Sequence, residues 1–536
     1  MKKIKKYLPH NLLKKCLVAL AAGAFSVYAF APFSILFFAS LSLVVLFLLL
    51  DDTINKGGSK ADLFWLGWCY GFGYFLAGIY WIGISLFVDA EKFIWLLPFA
   101  LTLVPGYLAL YFGLLALCYK FLLRIIAVDK KWLRILCFSL SWMMCEFLRA
   151  NFPLGFPWNL LGYVFVDHLS LAQAASVVGV YGLSLLALLL LLVPALFISW
   201  HKGRAVFSLK GNAGYLVVIV VLMLAVLVYG NNRLQQTVVK KNEKVRIVQA
   251  NIAQKAHSTY EEKYRDLQEV MDLSVAGEDV ASGVQKSLRA IIWSESAIPF
   301  VIDGNSDTLI NHLAKVIPQD AVLISGAMRA KYNDFFSKFD AIYNSVLTVD
   351  ASGATTFYDK HHLVPFGEYV PLQRILPFIE QITGGMPFSE GKGPMTVSVN
   401  NFSFSPLVCY EAIFTQSAID KNGKRPDLLV NVTNDAWFGN SIGPYQHLAM
   451  AQLRSVEYGI PMIRVANTGI SAVIDPYGRV VAKIGLSEKG WRDVDVIESV
   501  PETIYERFGS FLVVILLLVV MGVVVGVKNY GLRAKN

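Results

Sequence analysis

The chain has 536 residues, of which 55% are hydrophobic and only 16% charged, with a mean hydropathy of +0.52. These values exclude an ordinary soluble domain and a disordered chain, and point to membrane spans joined to a water-soluble part. The formal charge of +9 is no nucleic-acid signature, because the cations gather in short segments between apolar runs, where they report topology.

Apolar runs long enough to cross a ~30 Å hydrocarbon core occur near residues 13–31, 34–50, 63–87, 93–119, 132–148, 169–199 and 213–230. A polar block follows, then an eighth run at 510–527. With the N-terminus in the cytoplasm, nineteen Lys and Arg fall in the short inner segments, whereas only Lys92 and Arg149 fall in short outer loops. Basic residues are retained on the cytoplasmic side. The asymmetry therefore predicts seven transmembrane helices over 1–230, an extracytoplasmic domain over 231–508, and an eighth helix with a cytoplasmic tail over 509–536. The outer block has 27 Lys and Arg against 31 Asp and Glu, so it is close to neutral. The basic N-terminus with its first apolar run is expected to be an uncleaved anchor, since more spans follow.

Within the outer block, short β-rich runs bounded by Gly, Pro, Asn and Asp predict strands at 245–250, 288–293, 321–326, 345–349, 355–358, 403–408, 428–433, 462–466, 472–474 and 480–484. Residues 259–275 and 446–457 read as helices, so the class is α/β or α+β with layered sheets. From His361 to Pro394 the chain is rich in Pro, Gly and aromatics around the apolar segment Ile375 to Ile379. A long loop of this kind is a lid or binding loop, here expected to dip toward lipid.

Three residues stand out. Cys409 is the only cysteine of the outer block, because Cys16, Cys69, Cys118, Cys137 and Cys145 lie within or beside the apolar runs. In an oxidising compartment it is either an unpaired passenger or a nucleophile. It sits where a strand is expected to give way to a helix, so that the amides of the next turn can stabilise a thiolate or an oxyanion. Free cysteines also serve as small buried hydrophobes, and adjacent Tyr410 and Glu411 weigh against that here. Glu295 follows an apolar strand, at the kind of C-terminal tip where catalytic residues gather in α/β sheets; a solvated loop acid is the alternative. Lys360 closes another strand and reads alternatively as a surface turn lysine. His361 and His362 are adjacent rather than at ligand spacing and have no cysteine partners, so no metal site is expected.

Together these residues resemble the nitrilase, or carbon-nitrogen hydrolase, superfamily, whose members carry Glu, Lys and Cys in that chain order on strand ends. The match extends to Trp293–Pro299, Asp359–Gly367 with Glu368–Pro371, Val408–Glu411, Asn431–Gly439 and Arg464–Ser471. With eight spans and the outer-loop motif Gly155–Asn159, the whole chain resembles the apolipoprotein N-acyltransferase family. Ser294, where proline is expected, is a small departure.

The resemblance implies a multi-span α-helical membrane domain plus an α/β nitrilase-like sandwich of two sheets flanked by helices. It implies a bacterial inner membrane location with the catalytic domain on the periplasmic face. Cys409 would take an acyl chain from a membrane phospholipid as a thioester and pass it to the α-amino group of a diacylglyceryl-cysteine on an apolipoprotein. Glu295 would be the general base, and Lys360 would stabilise the thiolate and the oxyanions. Glu368 and Glu411 would orient Lys360 and Tyr410 would shape the oxyanion site, although all three fit structural roles equally. Leu376, Phe378 and Trp437 would contact substrate. Thioester aminolysis is downhill, so neither a cofactor nor a metal is required. A membrane-tethered amidase for a small soluble amide is one rival. A transporter with an outer sensor domain is another, but it should place ionisable residues in mid-membrane, whereas Asp62, Glu146 and Arg149 lie near span ends.

Overall fold

The computed structural model describes residues 8–126, 130–152, 154–201, 204–207, 213–255, 257–277, 288–333, 338–371, 387–399 and 402–533. The chain divides into two compact units, one built from residues 1–83, 96–235 and 503–536, the other from 84–95 and 236–502.

Among the described residues of the whole chain, six helical stretches are long and apolar enough to cross a membrane: Leu12–Ala29, Leu36–Asn55, Lys60–Phe87, Ala90–Ile126, Ala175–Phe197 and Ala213–Leu234. In the first unit the helices Leu8–Phe25 and Lys60–Ile79 touch backbone to backbone. A Cβ on Gly73 would stand 2.0 Å from the Leu20 carbonyl oxygen, so a small residue is what lets these helices approach. The apolar run near 132–148 forms the helix Lys131–Asn151, which is not among the six because it carries Lys131, Arg134, Glu146 and Arg149. Two of these hold the turn that follows. Arg149 donates to the carbonyls of Phe156 and Trp158 at 2.6 and 2.7 Å, and Glu146 accepts from the Leu161 amide at 2.7 Å and the Trp142 indole at 3.0 Å. Near the C-terminus the helix Phe511–Arg533 is apolar over Phe511–Gly522.

The second unit carries two sheets. One runs in the order Val480–Ile484, Ser471–Ile474, Met462–Ala466, Leu428–Thr433, Phe402–Val408, Val397–Val399. The other runs Gly490–Ile497, Lys240–Gln249, Leu288–Ile292, Val322–Asn333, Lys338–Asp350, Thr355–Asp359, with Ile298–Ile302 paired to Val322–Asn333. Each sheet has a parallel centre, 402–408 with 428–433 and 462–466 in the first, 240–249 with 288–292 and 322–333 in the second.

Alternation along these strands builds the layers. Val245, Ile247, Ala290, Ile292, Val322 and Ile324 meet Phe404, Val408, Val430, Val432, Ile463 and Val465 in one core between the sheets. The opposite face of the larger sheet, with Val248, Ile291, Leu323 and Val349, packs on Leu267, Val270 and Met271 of the helix Tyr260–Val275 and on Ile310 and Leu313 of Asp307–Ala314. Strands covered on both faces read as unbroken apolar runs, which is why the central ones were visible in the sequence. Gly490–Ile497 was not expected. It pairs at the sheet edge and carries Arg492, Asp493 and Asp495, charges that blunt an edge and disguise it as loop.

Candidate active site

Glu295 lies three residues past the end of its strand at Ile292, one residue earlier than the expected end. The loop that carries it crosses Gly326 closely. A Cβ there would stand 2.5 Å from the Glu295 Cα, and Ser296 takes a φ of 57°. Glu295 is buried, its Oε1 accepting from Asn344 Nδ2 and its Oε2 from the Asn434 amide, both at 2.8 Å.

Lys360 follows the strand Thr355–Asp359 and is 1% exposed, so the surface-turn alternative is excluded. Its Nζ forms a forked ion pair with Glu368, 2.9 Å to Oε1 and 2.8 Å to Oε2. Glu368 also accepts from Asn344 Nδ2 and from the Val364 amide, at 2.8 and 2.7 Å. Asn344 is thus the hub: its side-chain Nδ2 bridges both carboxylates while its backbone carbonyl accepts from the Lys360 backbone N–H at 2.8 Å. Sequence reasoning missed it. It stands one residue before the strand expected at 345–349, and the observed strand, Lys338–Asp350, begins earlier and includes it.

Cys409 is buried at the C-terminal end of Phe402–Val408, and a short 3-10 turn, Cys409–Ile413, takes the place of the expected α-helix. Its φ is 51°, a left-handed conformation that costs a residue bearing a Cβ about 1–3 kcal/mol. Glu411 anchors this turn. Its Oε2 accepts from the Val408 amide at 2.7 Å, while Oε1 takes the His361 and His362 amides at 2.8 and 3.2 Å and the Tyr358 hydroxyl at 2.9 Å. It thereby ties the segment after Lys360 to the residue before Cys409. His361 and His362 serve this packing, the first with Nδ1 2.8 Å from Glu411 and the second stacked on Phe414 at 3.6 Å. Tyr410 is buried, its ring edge-on to Phe414 at 5.0 Å.

Burial dominates the electrostatics. It pushes the Glu295 carboxyl above its ordinary range, as does Glu368, against the opposing pull of Lys360 and of hydrogen bonds from Asn344 and the Cys409 thiol. Burial by itself would lower Lys360, yet Glu368, Glu295 and Cys409 outweigh it and hold the ammonium charged. Burial and the Glu295 carboxylate push the Cys409 thiol well above its ordinary value, with Lys360 relieving only part of that. Burial and the neighbouring carboxylate thus favour the neutral thiol over a thiolate, and a short 3-10 turn rather than a helix N-terminus follows it.

Residues 22–193 match the family model of the apolipoprotein N-acyltransferase N-terminal domain, and residues 244–505 match that of the carbon-nitrogen hydrolases. Curated relatives named apolipoprotein N-acyltransferase align over nearly the full length. That of Rhodopseudomonas palustris is 37% identical over 95% of this chain and 94% of its own, and that of Bradyrhizobium diazoefficiens 38% over 96% and 95%. The Brucella melitensis protein is 33% identical over 98% and 97%. The chain belongs to the apolipoprotein N-acyltransferase family. The chain is also similar to a solved cysteine-to-alanine mutant of the Nesterenkonia AN1 amidase, at 15% identity and a TM-score of 0.36, covering 51% of this chain and 97% of that one.

In this acyltransferase a second buried group lies behind Cys409. Asp435, on the turn Asp435–Phe438, meets His447 Nδ1 at 2.8 Å and Arg464 Nη2 at 2.7 Å. Burial would raise the Asp435 carboxyl, but Arg464 and His447 outweigh it and hold it down at about 2. Cys409, Asp435 and His447 have ligand-type atoms within 4.8 Å of one another. The metal-like grouping is a hydrogen-bonded network instead: Arg464 supplies its cation, and both ring nitrogens of His447 face partners, Asp435 and the Cys409 carbonyl. Trp437, on the same turn, is half-buried three residues past Asn434, whose amide holds Glu295. Leu376 and Phe378 lie outside the described residues, with the rest of 372–386.

Proposed function

We propose that this protein moves an acyl chain from a membrane phospholipid to the N-terminal α-amino group of diacylglyceryl-cysteine in apolipoproteins, through a thioester on Cys409. The observation that carries the reading is that buried Glu295, Lys360 and Cys409 converge, with Asn344 bridging Glu295 to the Glu368 that pairs with Lys360, and with the Cys409 thiol in the field of both the Glu295 carboxylate and the Lys360 ammonium. Glu295 takes the thiol proton as Sγ attacks the ester carbonyl, so the thiolate forms only when it is used. The oxyanion is met by Lys360 and by the backbone N–H of Tyr410. Collapse expels the lysophospholipid alkoxide, which takes the proton back from Glu295. The acceptor amine then attacks the thioester, Glu295 receives the amine proton, and the departing thiolate recovers it. Glu368 and Asn344 keep Lys360 and Glu295 in register, Glu411 keeps the two strand ends together, and Trp437, Leu376 and Phe378 contact lipid.

The nineteen-to-two bias in short-loop cations supports seven spans before the catalytic domain, an eighth after it, and a bacterial inner membrane protein with residues 231–508 on the periplasmic face. Reporter fusions after Gly230 should read as exported and those after Lys202 as cytoplasmic; the reverse pattern would remove the apolipoprotein acceptor. The carbon-nitrogen hydrolase match over 244–505 favours a second reading, hydrolysis of a soluble amide by the same residues. Intact mass spectrometry separates the two. Phospholipid should leave a hydroxylamine-sensitive acyl mass on the parent enzyme and none on Cys409→Ala. An equal adduct on the Ala variant defeats the thioester assignment, and amide turnover without an acyl-lipid adduct favours the amidase.

A further inference from the structure

The network behind Cys409 has no part in the steps above, yet it touches the nucleophile's own backbone. His447, on the helix Gly443–Tyr458, is fully buried with Nε2 3.1 Å from the Cys409 carbonyl oxygen. A carbonyl only accepts, so Nε2 carries a proton whatever the state of Nδ1. At the other side of the ring Nδ1 lies 2.8 Å from Asp435 Oδ1 and 3.1 Å from Arg464 Nη2. Arg464 is in turn bonded through Nη1 to Asn431 Oδ1, and Asn431 Nδ2 donates to the Leu407 carbonyl at 3.0 Å. Asn431, Asp435, His447 and Arg464 come from two parallel strands, a turn and a helix, and none is more than 1% exposed. The imidazole is therefore fixed in plane and position, much as a carboxylate orients a catalytic histidine.

What it fixes follows from peptide geometry. The Cys409–Tyr410 peptide is planar, so the Cys409 C=O and the Tyr410 N–H point in opposite directions. Holding one aims the other. Cys409 also sits in a left-handed conformation that its Cβ disfavours, and a bond to its carbonyl resists relaxation of that peptide. Resting on the acyl-transfer reading above, we infer that His447 is a positioning residue for the reaction: its Nε2–H sets the plane of the Cys409–Tyr410 peptide, and with it the thiol and the oxyanion-facing amide.

The test compares two amides at this position in the full-length enzyme. Glutamine places its NH₂ near the site of Nε2 and should still hold the carbonyl. Asparagine reaches only as far as Nδ1, facing Asp435, and should not. Single-turnover thioester formation from labelled phospholipid in micelles should slow about 30-fold or more in His447→Asn with KM within about 3-fold, the scale expected for a small misplacement of reacting groups. His447→Gln should lose less than about 5-fold, a rescue that a need for bulk alone does not produce. Equal rates in the two variants, both melting cooperatively, would overturn the inference, as would a fall confined to KM. Cys409→Ala separates this outcome from failure of the parent reading: label on that variant sinks the thioester, whereas label on the parent with Asn and Gln indistinguishable sinks only the role of His447.

Discussion

Two buried sets of charges, one in each unit, are satisfied in opposite ways. On the helix Lys131–Asn151, Arg149 spends its hydrogen bonds on the carbonyls of Phe156 and Trp158, and Glu146 accepts from a backbone amide and an indole. Those hydrogen-bond partners are backbone and indole dipoles that do not titrate, so the bonds hold a turn. In the second unit Glu295, Lys360 and Glu368 answer one another, with Asn344 between the carboxylates and a thiol beside them. Glu295 and Lys360 each feel the other's charge and that of Glu368, and the thiol feels both, a coupling that suits proton transfer. Burial is similar in the two sets, and the chemistry of the partners sets the candidate site apart from the membrane pair.

The largest expected effect breaks the titrating set. Glu295→Gln and Lys360→Met should each slow thioester formation by at least about 10²-fold, the usual scale for losing a base or an oxyanion donor, while the Cys409 thiol remains alkylatable. Near-parental rates in either variant would remove that residue from the mechanism. The base must be ionised, and burial raises the Glu295 carboxyl. The parent rate should therefore fall on acidification at a higher pH than for an ordinary carboxylate, and this limb should vanish in Glu295→Gln.

The Asp435 network is an intermediate case, charged but with its carboxyl held down at about 2 by Arg464 and His447. A depressed carboxyl stabilises the fold above its unfolded value of ~3.9 and loses that contribution as pH falls toward 2. Asp435→Asn should thus lower stability by about 2–3 kcal/mol at neutral pH, with the gap to the parent closing between pH ~4 and ~2. Thermal melts in detergent across that range check it, and a gap unchanged at low pH would refute it.

The membrane pair should show the smallest effects. Arg149→Met leaves two buried carbonyls short of a donor and should cost about 2 kcal/mol, whereas Glu146→Gln keeps an oxygen for the Leu161 amide and should cost under about 1 kcal/mol. Melting of the full-length protein measures both. A larger loss in Glu146→Gln than in Arg149→Met would contradict the scaffold role drawn from their partners.

Much of this was legible from particular residues. Glu295, Lys360 and Cys409 could be singled out because each follows a predicted strand and together, in that chain order, they match the motifs of the carbon-nitrogen hydrolases. Asn344, Asp435, His447 and Arg464 were not assigned roles, because a polar residue in a strand or helix carries no mark of what it will face. The helix Lys131–Asn151 read as a span from its apolar stretch, and its four ionisable residues show their purpose only once the turn folds back onto Arg149 and Glu146.

The order of apolar runs, the cation bias and the identities at three strand ends were determined by the sequence itself, since hydropathy, charge and alternation act over a few residues at a time. The tertiary structure alone decided that burial and a carboxylate raise the thiol, that one asparagine bridges two carboxylates, and that a histidine 38 residues away holds the Cys409 carbonyl. Those outcomes depend on desolvation and on hydrogen bonds between distant segments. Both come into being only when the sheets close over the site and exclude water.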